Sequence, residues 1–123
     1  QTSTFYGLCR EKTENWAILG DLTTLYDLSA PWALSQRDIS SSCIVVINNG
    51  GGKIFGRIFG KAEFENRHSI GFESWAKQWN LDYQKWNSIP DKFVPHGHWV
   101  IELVPDEAAT TRFWNRYDTE LFQ

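Results

Sequence analysis

The strongest constraint on the fold is a pair of short apolar runs, each cut off by turn-forming residues. Trp16-Ala17-Ile18-Leu19 stops at Gly20-Asp21, and Cys43-Ile44-Val45-Val46-Ile47 stops at Asn48-Asn49-Gly50-Gly51-Gly52. Runs this short, rich in bulky or β-branched side chains and bounded by turn formers, read as buried parallel strands. The residues between them have the length of a helix, so the pair makes a β-α-β unit. Both of its strands end in polar residues.

In open α/β sheets ligands bind outside the carboxyl ends of the strands. Here those ends carry Asp21 and, 28 positions later, Asn49, followed directly by three glycines. A carboxylate, a carboxamide oxygen and glycine carbonyls are hard oxygen donors suited to magnesium or calcium, which keep positions for phosphate oxygens or water. Glycine also permits positive φ and close approach of backbone to a ligand. Charge makes the cation necessary, because a carboxylate about 4 Å from a single phosphate charge is opposed by roughly 4 kcal/mol at an effective dielectric near 20. Taken alone, Asp21 reads as an ordinary helix cap and the Asn-Asn-Gly-Gly-Gly run as a tight turn. It is their coupling at this distance that reads as a metal-bridged phosphate site.

A chain of 123 residues is one domain by size, able to bury about two-thirds of its unfolded surface. A net charge of −3 and a pI near 5.5 give no electrostatic footprint for nucleic acid or an anionic membrane. No apolar run approaches the roughly 18 residues of a membrane-spanning helix, and the first residues lack the pattern of a signal peptide, which points to a cytoplasmic setting. Cys9 and Cys43 fall in an expected helix and an expected buried strand, so they read as reduced buried thiols. The chain has no methionine and opens on Gln1-Thr2-Ser3-Thr4, which looks like a piece of a longer protein. Its seven tryptophans either meet surfaces covered by other domains or subunits, or simply build the core.

Along the chain, Phe5, Leu8 and Cys9 at helical spacing predict a short helix over Thr2 to Glu11 packed on the sheet. Thr23 or Thr24 is placed to cap a helix running to about Gln36, kinked or divided by Pro31. Arg37 to Ser42 is a polar loop. The glycine- and charge-rich stretch Gly56 to Asn66 reads as a mobile loop that orders over ligand, or as disordered without its partner domain. Within it, Arg57 either meets a substrate carboxylate or, more commonly for such a residue, is solvated. His68 reads as a surface or capping residue ahead of an amphipathic helix, Ser69 to Asn80, that carries Phe72, Trp75, Ala76 and Trp79. Leu81 to Tyr83 is a short strand, Asn87 to Gly97 a proline-containing loop, and Trp99 to Val104 a further strand. His96 and His98 lack a third ligand and read as loop residues. Acidic Asp106 and Glu107 open a last helix to about Leu121 with Phe113, Trp114 and Tyr117.

Gly20-Asp21, followed at this interval by Asn48-Asn49-x-Gly51, resembles the thiamine-diphosphate signature. That signature usually has Gly-Asp-Gly, whereas this chain has Gly20-Asp21-Leu22. The fuller patterns Gly20-Asp21-Leu22-x-x-Leu25-Tyr26-Asp27-Leu28 and Asn48-Asn49-x-Gly51-Gly52-x-Ile54-Phe55 are similar to one branch, 2-succinyl-5-enolpyruvyl-6-hydroxy-3-cyclohexene-1-carboxylate synthase of menaquinone biosynthesis. The similarity runs from about Tyr6 to the Val100–Val104 strand.

The resemblance implies a C-terminal thiamine-diphosphate-binding domain over residues 1–123, of class α/β, three-layered, with a mainly parallel sheet flanked by helices and truncated from a larger chain. It implies magnesium held by Asp21, the Asn49 side chain and the Gly51 carbonyl, with Asn48 supporting the turn and Gly20, Leu22 and Thr23 beside the diphosphate. Ile54 and Phe55 match positions that wall the thiamine and substrate, although plain core packing is the alternative. The implied parent enzyme decarboxylates 2-oxoglutarate and adds the succinyl-semialdehyde carbanion to isochorismate. Its partners are the two substrates, a pyrimidine-binding domain of the same chain or of a partner subunit, and further copies in a dimer or tetramer. The glutamate that activates the aminopyrimidine in thiamine enzymes has no counterpart here, so no residue of the chain is expected to be catalytic and the chain alone is expected to be inactive. The alternatives are an acetolactate-synthase-like or 2-oxoacid decarboxylase enzyme, against which Leu22 speaks, and a non-catalytic α/β module for nucleotide or protein. The nucleotide form of that module lacks its phosphate loop, because Gly51-Gly52-Lys53 is not followed by Ser or Thr.

Overall fold

The structure is a computed structural model and describes residues 1–121. Four strands, β1 (Trp16–Gly20), β2 (Ser42–Ile47), β3 (Asp82–Trp86) and β4 (His98–Leu103), form one all-parallel sheet in the order β1-β2-β4-β3. The helices are α1 (Thr2–Leu8), α2 (Asp21–Leu25), α3 (Lys53–Phe59), α4 (Glu73–Gln78) and α5 (Glu107–Leu121), with 3-10 turns at Ala30–Ser35 and Ala62–Glu65. The expected α/β class with a parallel sheet flanked by helices is the observed one.

The sheet has two unequal faces. Alternate residues Ile44, Val46 and Val100 point to one face, where Tyr6, Ala30, Ile39, Phe72, Trp75, Ala76 and Leu81 close a continuous core. Each large side chain buried there stabilises the fold by about 1.5–3 kcal/mol relative to exposure. The other face carries Cys43, Val45 and Ile101, covered by Phe93 together with Trp86 and Trp99. Parallel connections are right-handed, and β3 steps back to β4 in the direction opposite to the two earlier crossovers. The 87–97 connection therefore passes on this second face, and it is from there that Phe93 stacks edge-on against Trp86 and Trp99.

Several local expectations need correction. β1 is not buried but an edge strand, with Trp16 and Ile18 exposed and Ala17 and Leu19 turned to the helices. The helix after it begins at Asp21 itself, with Gly20 at the cap position, and Thr24 donates its hydroxyl back to the Gly20 carbonyl instead of capping. Pro31 divides it: α2 ends at Leu25 and the chain resumes as the 3-10 turn, with the proline in its first turn. In α1 the buried residues are Thr2 and Tyr6, with Cys9 following, while Leu8 is exposed. The helix packs against the 30–35 turn, and Arg37 donates to the carbonyls of Tyr6, Gly7 and Cys9 at its end. Residues 53–65 are not a loop but α3 and a 3-10 turn, joined through the left-handed Gly60. α4 buries Trp75 and Ala76, and the indoles of Trp75 and Trp79 both donate to the Leu28 carbonyl, at 2.7 and 3.0 Å. Among the described residues no helix is long and apolar enough to cross a membrane.

Candidate functional site

β1 and β2 lie side by side in register, Gly20 opposite Ile47, so the residues after them meet at one end of the sheet. Asp21, 3% exposed, sits beneath the turn that follows β2. Its Oδ2 accepts the backbone N–H groups of Gly50 and Gly51, both at 2.9 Å, and its Oδ1 accepts that of Leu22 at 2.6 Å. The turn needs its glycines. Gly50 has φ +78° and Gly51 φ +134°, and a Cβ on Gly51 would stand 2.5 Å from the Glu65 carbonyl oxygen. The 65–68 segment lies directly on the turn, with Gly52 N–H donating to Glu65 at 2.5 Å and His68 N–H to Gly50 at 3.1 Å.

His68 is the residue that sequence reasoning missed. Its side chain is almost wholly buried, and Nε2 lies 3.3 Å from Asp21 Oδ2. The Ile70 N–H donates to Nδ1 at 3.1 Å, which puts the proton of the neutral ring on Nε2, facing the carboxylate. Nε2 nevertheless makes no well-formed hydrogen bond. A lone histidine ahead of a helix carries no local signal for this position.

Glu102 was missed as well. It is 2% exposed on β4, and its carboxylate accepts Asn48 Nδ2 at 2.8 Å on one oxygen, and the Phe72 N–H at 2.9 Å and the Tyr83 hydroxyl at 2.7 Å on the other. Burial raises its pKa, but those three bonds and the charge of Lys85 outweigh it and hold the carboxyl below the ordinary glutamate value. The Tyr83 hydroxyl is raised by burial and by that same carboxylate. The signal was available: one charged residue inside the apolar run Val100-Ile101-Glu102-Leu103-Val104.

Outside the carboxyl ends of β2, β4 and β3 opens a cavity of about 1100 Å³, walled among others by Asn49, Lys53, Ile54, Arg57, Glu102 and Trp114. α3 forms one wall and α5 another. Lys53 pairs with Glu107 at 2.7 Å, and Arg57 pairs with Asp118 while lying over the Trp114 ring, 3.9 Å from its centroid. Arg57 is thus paired on the cavity wall rather than merely solvated.

The expected site residues divide accordingly. Asp21 and Gly51 are brought into direct contact, although through the Gly51 N–H, while its carbonyl accepts Lys53 N–H at 2.9 Å. Asn49 is exposed on the cavity side, and Asp21 is not among the cavity walls. Gly20, Leu22 and Thr23 lie at the start of α2, outside the cavity walls, and Leu22 reaches toward Gly52. Ile54, 63% exposed, faces the cavity, whereas Phe55 stacks on Phe59. Neither is a core residue. His96 is exposed, and His98 opens β4 with Nδ1 2.8 Å from the Ser42 hydroxyl. Cys9 and Cys43 are free and buried, as expected.

A cation fits this chemistry. Among the described residues no lysine or arginine lies within 4 Å of the buried Asp21 carboxylate, whose one basic neighbour is the His68 imidazole. No group of three or more His, Cys, Asp or Glu that could hold a metal occurs among the described residues.

No protein-family model matches the chain. It is 50% identical, over 96% of its length, to a protein of Bdellovibrio bacteriovorus named 2-succinyl-5-enolpyruvyl-6-hydroxy-3-cyclohexene-1-carboxylate synthase. Proteins of the same name from Akkermansia muciniphila and Proteus mirabilis are 31% and 35% identical over 89% and 76% of the chain. The chain spans 23% of the length of the first two relatives and 17% of the third. Over that quarter of their length, the chain belongs to the family of 2-succinyl-5-enolpyruvyl-6-hydroxy-3-cyclohexene-1-carboxylate synthases.

Proposed function

We propose that the chain is the part of such a synthase that anchors the diphosphate of thiamine diphosphate through magnesium and walls one side of the substrate pocket. The observation that carries this reading is the buried Asp21 carboxylate, at the end of β1, clasping the Gly50–Gly51 turn at the end of β2 with no lysine or arginine among the described residues to neutralise it. Asp21, Asn49 and the Gly51 carbonyl are the oxygen donors that would hold the cation.

When bound, thiamine diphosphate supplies the electron sink for decarboxylating a 2-oxo acid. The residues of this chain bind and orient. Asp21 holds the turn and contributes the negative charge that recruits the cation. Gly50 and Gly51 let the backbone approach closely, and Ile54 presents an apolar surface to the cavity. The reaction proposed for the whole protein is decarboxylation of 2-oxoglutarate and addition of the succinyl-semialdehyde unit to isochorismate. A pyrimidine-binding domain, from the same chain or from another subunit of a dimer or tetramer, supplies the groups that activate the cofactor. The 123-residue chain by itself therefore gives no turnover.

The test is carbon dioxide release by the full-length protein with magnesium and thiamine diphosphate, from 2-oxoglutarate with and without isochorismate, and from pyruvate. Release from 2-oxoglutarate with capture by isochorismate is expected. A preference for pyruvate would make the protein an acetolactate-synthase-like or decarboxylase enzyme with the same metal site. Silence with both donors would overturn the enzymatic reading in favour of a binding module.

A further inference from the structure

Glu102 borders the cavity but has no role in the function proposed above, yet it is a carboxylate almost wholly withdrawn from water with no ion pair within 4 Å among the described residues. It is held by three donors from three elements: Asn48 after β2, Phe72 at the start of α4, and Tyr83 on β3. The Asn48 bond leads on to the turn. The two Nδ2 hydrogens of Asn48 go to Glu102 Oε1 at 2.8 Å and to the Ile70 carbonyl at 2.9 Å, and its Oδ1 is left facing the Gly50 N–H at 3.3 Å. That N–H is the one also shared with Asp21 Oδ2.

We propose that Glu102 is a positioning residue for the cation-binding turn, acting through Asn48 to fix the direction in which the Gly50 N–H points. The clause that it serves cation binding rests on the function proposed above. An asparagine carboxamide is ambiguous, because its oxygen and nitrogen ends have the same shape and opposite hydrogen-bonding sense. An ionised carboxylate is an acceptor only, as is the Ile70 carbonyl. Together they compel Asn48 to turn its NH2 group toward them, and the carboxamide oxygen is thereby committed to the turn. Glutamine at 102 would disturb this arrangement whichever way it lies. With its NH2 toward Asn48 it would draw the carboxamide oxygen away from Gly50. With its NH2 toward Phe72 it would leave that buried N–H facing a donor, a cost of the kind incurred by any unsatisfied buried group. A relay of this type stands to a metal site as outer hydrogen-bond partners stand to metal ligands, whose loss weakens affinity about ten- to a hundredfold.

The test uses full-length protein in two arms. The first is hydrogen exchange of the peptide spanning Asn48 to Lys53 in metal-free protein. The second is the affinity for magnesium and thiamine diphosphate, read from tryptophan fluorescence. Glu102→Gln and Asn48→Ala are each expected to speed exchange at the turn about tenfold and to weaken binding ten- to a hundredfold. Tyr83→Phe, which removes a donor from the oxygen that does not face Asn48, is expected to lower the melting temperature while leaving both readouts near wild type. If all three variants lower the melting temperature alike and leave turn exchange and affinity unchanged, Glu102 is structural and the proposal is overturned. If wild type binds neither magnesium nor cofactor, the function proposed above fails and the cation-binding clause falls with it; the exchange arm then upholds or overturns the relay on its own. Should Glu102→Gln not fold, Asn48→Ala decides the matter.

Discussion

Two regions at the same end of the sheet are built in opposite ways. The turn after β2 is held from every side: Asp21 from beneath, the 65–68 segment from above, and Asn48 and Glu102 laterally. The α3–α5 wall, a few residues further on, has no buried residue in either helix, and Phe113, Trp114, Tyr117 and Leu121 of α5 are all exposed. The two helices are tied to each other chiefly by partly exposed ion pairs, each of which contributes little to stability. The first region is completed by residues close to it in the fold. The second presents large apolar side chains whose burial the chain itself does not provide.

The contrast is broken most severely at Gly51. Gly51→Ala places a Cβ against the Glu65 carbonyl in a backbone conformation that alanine disfavours, and it is expected to cost about 3 kcal/mol or more, measured by urea unfolding. Asp21→Ala comes next. It strands three backbone N–H groups, an expected loss of about 2–4 kcal/mol together with loss of cation binding by calorimetry. Asn49→Ala sharpens the comparison, since an exposed residue should change stability by less than about 0.5 kcal/mol while still weakening magnesium and cofactor binding. Unchanged cofactor dependence in both variants would remove Asp21 and Asn49 as cation ligands.

Acid is a gentler probe. Glu102 is held below its ordinary value of 4.5 in the folded chain, as Asp27 is below 3.8 through its bonds to Ser3, against the opposing effect of burial. The unfolded chain therefore takes up these protons at higher pH than the folded one. Their contribution is complete above the ordinary values and is lost as pH falls through the lowered ones. Chemical denaturation between pH 6 and about 3 should show this decline, and Glu102→Gln should flatten it. The outer wall gives a small effect as well. Trp114→Ala removes an exposed cation–π contact and should cost only about 0.5–1 kcal/mol in thermal melts. A large loss there would mean that the wall is as firmly held as the turn.

Much of this was legible in the residues. The two apolar runs and their polar ends located β1, β2 and the meeting of Asp21 with the glycine turn, because strand ends and positive φ are local properties. What escaped were properties of placement. β1 carries an unbroken apolar run but lies at the sheet edge, where nothing local distinguishes Ile18 from Val45. Gly56 and Gly60 suggested a loop, yet the seven-residue run Lys53–Phe59 forms a helix that Gly60 ends in the left-handed conformation. His68 reaches Asp21 only because the chain folds back over the turn, a contact across 47 positions that no spacing encodes. Glu102 could have been singled out as a charge in an apolar strand, but its partners Asn48 and Tyr83 come from the turn after β2 and from β3.

The two thiols give the protein a built-in clock. Alkylating reagents attack the thiolate, and burial pushes Cys43 up to about 12 while also raising Cys9. The folded chain is thus silent at neutral pH, and each thiol reacts only when its own part of the molecule opens. Cys43 lies on β2, one of the two inner strands, so its labelling rate meters rupture of the sheet. Cys9 lies just past α1, so its rate meters release of that helix alone. The difference between the two rates separates fraying at the chain's beginning from global unfolding in a single experiment, without an engineered reporter residue.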